Sequence, residues 1–336
     1  MPTPSIPWSI YRDLWTPMPA GPKGPYLAGK IVVITGATSG IGLEAIKQLA
    51  KASPEQLILA ARSIEAGEKV LNDLKKAHPN IKGKVIYLDL MKLESFKSFV
   101  EELKAFDRVD LLINNAGINP MFEEAPYKST EDGYERTFQV NVLAPLLLTL
   151  MLVPQLTKSS EPKVIYSGSD GHLVADSDLI ETSISNNESI VKAYNDAGKY
   201  QNPKRYFESK LLLQMTTRSL IKYLPSISTI NVNPGLAMTN LGREWVPIIT
   251  FETFRTIVWV MFNTRTVGKA ARNLTSAAAW QGGSQDYWTG GVPAASENLY
   301  LYSGKGVKAT QQFFEEMLEE VEKISPGCTS DISLKQ

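Results

Sequence analysis

An α/β fold with one doubly wound, mainly parallel sheet and helices on both faces is predicted by three observations. Apolar β-branched strands alternate with helical stretches, a glycine turn joins the first strand to the first helix, and 336 residues with 43% hydrophobic content can bury one large core. The first strand is Ile31-Val32-Val33-Ile34, and the first helix runs through Leu43-Glu44-Ala45-Ile46-Lys47-Gln48-Leu49-Ala50. Between them lies Thr35-Gly36-Ala37-Thr38-Ser39-Gly40-Ile41-Gly42. Such glycines let a pyrophosphate approach backbone N–H groups at a helix N-terminus, where the helix dipole favours negative charge. Glycines 36, 40 and 42 are spaced more widely than the usual dinucleotide fingerprint, so the loop alone also fits an ordinary turn.

Further strands follow at Gln56–Ala61, Lys84–Leu88, Asp110–Ile113, Val164–Tyr166 and Ser228–Val232, with Leu299–Tyr302 read as the last. A covering helix begins at Gly268, and a charged amphipathic helix spans about Gln311 to Ile324. Between Ser169 and Tyr206 lies a stretch rich in Asp, Ser, Asn and Glu, expected as a surface insertion at the mouth of the site.

Tyrosine followed four residues later by lysine occurs three times. Tyr26 and Lys30 flank a Gly/Pro-rich segment where no helix aligns them. Pro203 disfavours helical geometry just before Lys204, which separates it from Tyr200. Only Tyr206 and Lys210 open a good helical stretch, and their spacing puts them on one face. Acid–base work near neutrality needs a tyrosine pKa about three units below its usual ~10, worth about 4 kcal/mol of preferential phenolate stabilisation. An adjacent ammonium and a cationic nicotinamide are the expected sources of that bias.

In this order the motifs resemble those of short-chain dehydrogenases/reductases, and the resemblance covers roughly residues 29 to 305. It implies a single Rossmann-type domain with a helical substrate lid at about 236–265, preceded by a proline-rich arm (1–28) and followed by a C-terminal helix and tail (306–336). It implies cofactor contacts from Gly36, Ser39, Gly40, Ile41, Gly42, Asp89, Leu90, Asn115, Tyr206, Lys210, Gly235 and Thr239. The catalytic set it implies is Asn141, Ser169, Tyr206 and Lys210. Ser167-Gly168-Ser169 departs from the family's paired serines; strand alternation and the register of the downstream His172 favour Ser169, with Ser167 the alternative. Arg205 to Leu212 and Asn233-Pro234-Gly235-Leu236 look most like the retinol-dehydrogenase-like branch, including fungal reductases of secondary metabolism.

After the second strand, where an acid would hold a ribose 2′-hydroxyl, stands Arg62 followed by Ser63. A guanidinium there suits a 2′-phosphate, so NADP(H) is expected over NAD. The expected reaction is hydride transfer between NADPH and a carbonyl or secondary alcohol on a bulky apolar skeleton such as a terpenoid, polyketide, retinoid or steroid. Its alternatives are a catalytically silent NADP-binding sensor or scaffold, or a non-redox or double-bond-reducing reaction on the same scaffold.

With 35 basic and 35 acidic residues the net charge is zero, which gives no reason to expect a nucleic-acid partner. One cysteine, Cys328, and two histidines make a zinc site improbable, and no metal is expected. The apolar stretch from Trp245 through Phe262 is interrupted by Pro247, Glu252 and Arg255, which argues against a spanning helix and fits the apolar inner face of a lid. Trp8, Tyr11 and Trp15 suit an arm packed over the domain or in peripheral contact with a membrane. A cytoplasmic location and a homodimer built through the family's helices complete the expectations.

Overall fold

The computed structural model describes residues 17–120, 127–202, 204–237 and 265–332. Its elements run β1 (Ile31–Thr35), α1 (Gly40–Ala50), β2 (Gln56–Ala61), α2 (Ile64–Ala77), β3 (Gly83–Tyr87), α3 (Glu94–Leu103) and β4 (Leu111–Asn114). Then come α4 (Arg136–Leu156), β5 (Lys163–Ser167), α5 (Gly171–Val174), α6 (Asp178–Ser185), α7 (Ile190–Tyr194), α8 (Lys204–Tyr223) and β6 (Ser228–Val232). The described chain closes with α9 (Val267–Ala279), β7 (Gln285–Thr289), β8 (Val292–Ala294) and α10 (Gly304–Ile324). The strands form one sheet of order β3-β2-β1-β4-β5-β6-β7-β8, parallel throughout except for the β7–β8 hairpin.

Strand alternation divides the apolar side chains between two cores. Val32, Ile34, Leu57 and Leu59 face the helices α1, α2 and α9, whereas Ile31, Val33, Ile58 and Ala60 face α3, α4, α8 and α10. The β1–β4–β5 start is tied by buried Asp110, whose carboxylate accepts from the Ile31 amide (2.7 Å) and the Ser159 hydroxyl (2.6 Å). Lys163 at the start of β5 caps the far side, donating to the Ala277 and Ala278 carbonyls at the C-terminus of α9 (3.3 and 3.0 Å) and also to that of Trp280. Burial among these carbonyls pushes its pKa down to about 8.

Helix α4 is long and apolar enough to cross a membrane, yet 89% of its apolar window is buried inside the protein. It is a core helix between the sheet and its neighbours.

Two sequence expectations are corrected. Leu299–Tyr302 is a short 3₁₀ turn, with Leu299 81% exposed and only Leu301 buried, so its apolar letters do not make a strand. The last strands lie earlier, where Gly290 and Gly291 (φ 62° and 84°) make the tight turn of the β7–β8 hairpin. The stretch between Ser169 and Tyr206 is also no surface loop. Scattered among its polar residues, Ile180, Ile190, Val191 and Tyr194 are fully or almost fully buried, so the segment folds as α5–α7 onto the α8/α10 side of the core. Arg205, just before Tyr206, is buried between the Tyr194 and Tyr200 rings (4.7 and 5.2 Å to their centroids) and donates to the Tyr194 carbonyl (2.8 Å). The C-terminal helix holds its middle: the Glu316 carboxylate accepts from the Val191 amide (2.9 Å) and the Ser189 hydroxyl (2.7 Å).

Replacing Glu316 with alanine removes two bonds to one carboxylate oxygen and is expected to cost about 1–3 kcal/mol, read as a lower midpoint in urea unfolding. Faster proteolysis within residues 170–205 should accompany it, because the middle of the insertion loses its tie to the last helix.

Candidate active site

Strand order reverses between β1 and β4, and a crevice opens at the carboxyl ends of the strands there. The groove is about 460 Å³. It is lined by Gly36, Ser39, Gly40, Ile41 and Gly42 from the glycine turn, Arg62 and Ser63 after β2, and Asp89 and Leu90 after β3. Asn115 and Ile118 after β4, Ser167 at the end of β5, and Tyr206 and Lys210 on α8 complete it.

The glycine turn is built for close approach. A Cβ on Gly42 would lie 2.2 Å from the Gly36 carbonyl oxygen, so no side chain fits where α1 begins against the loop. Thr35 closes β1 over the same point: its hydroxyl accepts from the Asn115 and Ala116 amides (3.0 Å each), while the Asn115 side chain donates to the Thr35 carbonyl (3.0 Å). Arg62 is exposed at the rim, and Ser63 caps α2 by accepting from the Ala66 amide (3.1 Å). The Asp89 carboxylate turns back on its own loop, accepting from the Met91 amide (3.0 Å).

At the other end of the groove α8 places Tyr206 and Lys210 one turn apart. Lys210 is buried, and its ammonium donates to the Ser167 carbonyl (2.9 Å) at 5.7 Å from the Tyr206 ring centroid. The two candidate serines are thereby distinguished. Ser167 offers Lys210 its main chain, whereas the Ser169 hydroxyl stands beside Tyr206, where it favours the ionised phenol, and accepts from the Gly171 amide (3.0 Å). Asn141 lies behind the groove in a π-helical turn of α4, Gln139–Leu143. Its side chain accepts from the Ile118 amide (2.9 Å) and donates to the Ile118 carbonyl and the Ser209 hydroxyl (3.0 Å each). Gly235 sits beside Arg265 and directly follows Pro234, which lines the groove. Thr239 and residues 238–264, most of the expected lid, lie outside the described residues, as do Trp8, Tyr11 and Trp15; on the described side of that segment the Arg265 amide donates to the Leu236 carbonyl (2.8 Å).

Comparison with known proteins matches residues 30–176 to the family model described as short chain dehydrogenase. Over 277 residues the chain is 34% identical to retinol dehydrogenase 14 of Homo sapiens, covering 77% of this chain and 78% of that one. The chain belongs to the short-chain dehydrogenase/reductase family. It is also 28% identical over 327 residues to the short chain dehydrogenase AOL_s00215g274 of Arthrobotrys oligospora, covering 92% and 97% of the two chains. These relatives place it in the retinol-dehydrogenase-like branch with fungal members. Among solved structures the fold is similar to salutaridine reductase from Papaver somniferum, with a TM-score of 0.58 at 19% identity over 77% of this chain and 98% of that one.

Electrostatics in this dehydrogenase/reductase differ from the sequence expectation for tyrosine. Loss of water around the partly buried phenol pushes its pKa up; the Ser169 hydrogen bond opposes this and the negative charge of Asp170 adds to it. Burial likewise destabilises the charged form of Lys210 and brings its pKa down to about 8. Sequence reasoning passed over Thr35 and Ser209 as site residues, although each stands directly beside a quoted motif residue, Gly36 and Lys210. It used His172 only as a register mark. That imidazole is buried with both nitrogens bonded, Nδ1 to the Ser169 carbonyl (2.6 Å) and Nε2 to the Ser296 hydroxyl (2.7 Å), and burial pushes its pKa down to about 4.

A depressed folded-state pKa stabilises the protein above the unfolded value of ~6.5 and loses that contribution as pH falls toward the folded value. Moving from pH 7 to pH 5 should therefore cost about 2 kcal/mol through His172 alone. Urea midpoints of wild type and His172→Asn at the two pH values check this, the variant lacking that share of the acid sensitivity.

Proposed function

We propose that the chain is an NADP-dependent oxidoreductase acting between a carbonyl and a secondary alcohol on a bulky apolar small molecule. The observation that carries this reading is that Tyr206 and Lys210, with Ser169 beside the tyrosine, stand at one end of a groove whose other end is the glycine turn and Arg62.

The residues fit a dinucleotide. The space a Gly42 side chain would close is left to backbone, and the exposed Arg62 guanidinium at the rim suits a 2′-phosphate, with Ser63 beside it. NADPH, when bound, supplies the hydride. The Tyr206 hydroxyl donates its proton to the substrate oxygen as negative charge develops there, and the Ser169 hydroxyl holds that oxygen in place. A raised tyrosine pKa keeps the phenol protonated, the form from which it donates to a carbonyl oxygen. Lys210 anchors the nicotinamide side of the groove. Asn141 Oδ1 and Lys210 Nζ border the same space, lying 3.1 and 3.9 Å from where a Gly117 Cβ would stand, which suits a relay water between them. An apolar substrate is supported by Ile118 in the groove lining, by the apolar letters from Trp245 to Phe262, and by relatives named for retinol.

Turnover of NADPH and NADH against a panel of apolar ketones and aldehydes tests the reading. Tyr206→Phe should lose about 100-fold or more in kcat while still binding NADPH, since it removes one positioned proton donor. Equal turnover in wild type and variant would remove Tyr206 from its role. Arg62→Ala should raise KM for NADPH about 10- to 100-fold, the loss of one bidentate phosphate contact, and leave KM for NADH nearly unchanged.

A further inference from the structure

The turn that carries Ser169 is gripped from outside the nucleotide-binding half of the fold. A carbonyl oxygen only accepts, so His172 Nδ1 carries the proton it gives to the Ser169 carbonyl (2.6 Å), and Nε2 is left to accept from the Ser296 hydroxyl (2.7 Å). Ser296 Oγ in turn accepts from the Asn298 amide (3.2 Å), and the Asn298 side chain donates to the His172 carbonyl (2.6 Å). The Tyr287 ring packs edge-on to the imidazole at 5.1 Å, and its hydroxyl donates to Asp170 (2.8 Å). His172, Ser296 and Asn298 are 1%, 5% and 9% exposed, so water does not compete for these bonds.

The grip bears on the reacting atoms. Gly171 lies so close under Tyr206 that a Cβ there would stand 3.2 Å from Ser169 Oγ and 3.5 Å from Tyr206 Cε1. A bond to the Ser169 carbonyl fixes that peptide plane, and with it the direction in which the serine hydroxyl leaves the main chain. Because burial keeps the imidazole neutral down to about pH 4, the tautomer holds across the neutral range.

We propose that His172 is a positioning residue: backed by the Ser296–Asn298 turn after β8, it holds the Ser169 hydroxyl at the distance from Tyr206 that the reaction needs. The proposal rests on the carbonyl-reductase reading above. It gives the segment after the β7–β8 hairpin a part in the chemistry, although no residue of that segment lines the groove.

Four proteins test it: wild type, His172→Gln, His172→Asn and Ser296→Ala. Each is read for kcat, for NADPH affinity by fluorescence, and for hydrogen exchange over residues 168–173. Asparagine places an amide N–H where Nδ1 stands, whereas glutamine moves it one atom outward. His172→Gln should lose about 10- to 100-fold in kcat, as expected for a misplaced hydroxyl, with NADPH affinity unchanged and faster exchange in the turn. His172→Asn should recover most of that loss, and Ser296→Ala, the mildest change, should fall between. The proposal is overturned if the turn loosens while kcat holds, if Asn fails to recover what Gln loses, or if NADPH affinity falls in step with kcat. A wild type that binds NADPH and reduces no carbonyl counts against the functional reading instead. Exchange then decides the clamp, and an unchanged rate over 168–173 in Ser296→Ala would sink it.

Discussion

The seam between β1 and β4 governs the rest of the site. These two strands pair side by side, yet the chain leaves them in opposite directions, toward β2 on one side and β5 on the other, so no connection can cover the crevice above them. The seam must also be tight at its upper end, because the glycine turn and the Asn115 segment start from it. Thr35 meets that need with one hydroxyl shared by two amides, and Asn115 returns a bond to the Thr35 carbonyl. Loosening it would move the glycine turn and Ile118 together. Ile118 holds Asn141, and Asn141 reaches Ser209, the residue before Lys210.

Dryness, more than charge pairing, sets the acid–base character of the opposite end. Tyr206 and Lys210 share a helix face, and the ammonium is engaged with the Ser167 carbonyl and is itself destabilised by burial. Desolvation disfavours both charged forms at once, raising the tyrosine and lowering the lysine. A site so arranged begins with its proton on tyrosine. Stabilisation of the phenolate then has to come from groups that the reaction itself brings into place, which is where differential stabilisation accelerates a reaction.

Much of this was legible in the sequence for definite physical reasons. Strands β1 and β2 announce themselves because they are buried on both faces and therefore read as near-continuous apolar runs. The Tyr206–Lys210 pair was separable from its two competitors because proline and glycine forbid a helix at the others. What escaped was structure decided by distant contacts. Leu299–Tyr302 has strand-like letters, but Asn298 starts a 3₁₀ turn there and the β7–β8 hairpin has already ended the sheet. The insertion between Ser169 and Tyr206 reads as polar because each of its short helices buries only a few residues. The choice between Ser167 and Ser169 depended on which hydroxyl and which carbonyl face α8, and strand alternation alone left both candidates open.

The parts that strand-and-turn motifs do not specify are attached to the parts they do. The insertion is held between Arg205, whose neighbour is Tyr206, and Glu316 on the last helix. The turn after β8 is bonded through His172 to the carbonyl of Ser169. Both additions thus grip the chain at positions at or next to Tyr206 and Ser169, two residues that stand side by side at the end of the groove. A nucleotide-binding sheet by itself sets where a cofactor lies, since its turns carry the backbone donors. The separation of the two hydroxyls depends on main-chain positions in a turn and in the first turn of a helix, which strand pairing does not reach. In this protein those positions are fixed by elements outside the strands, and their own buried contacts are what hold that separation constant.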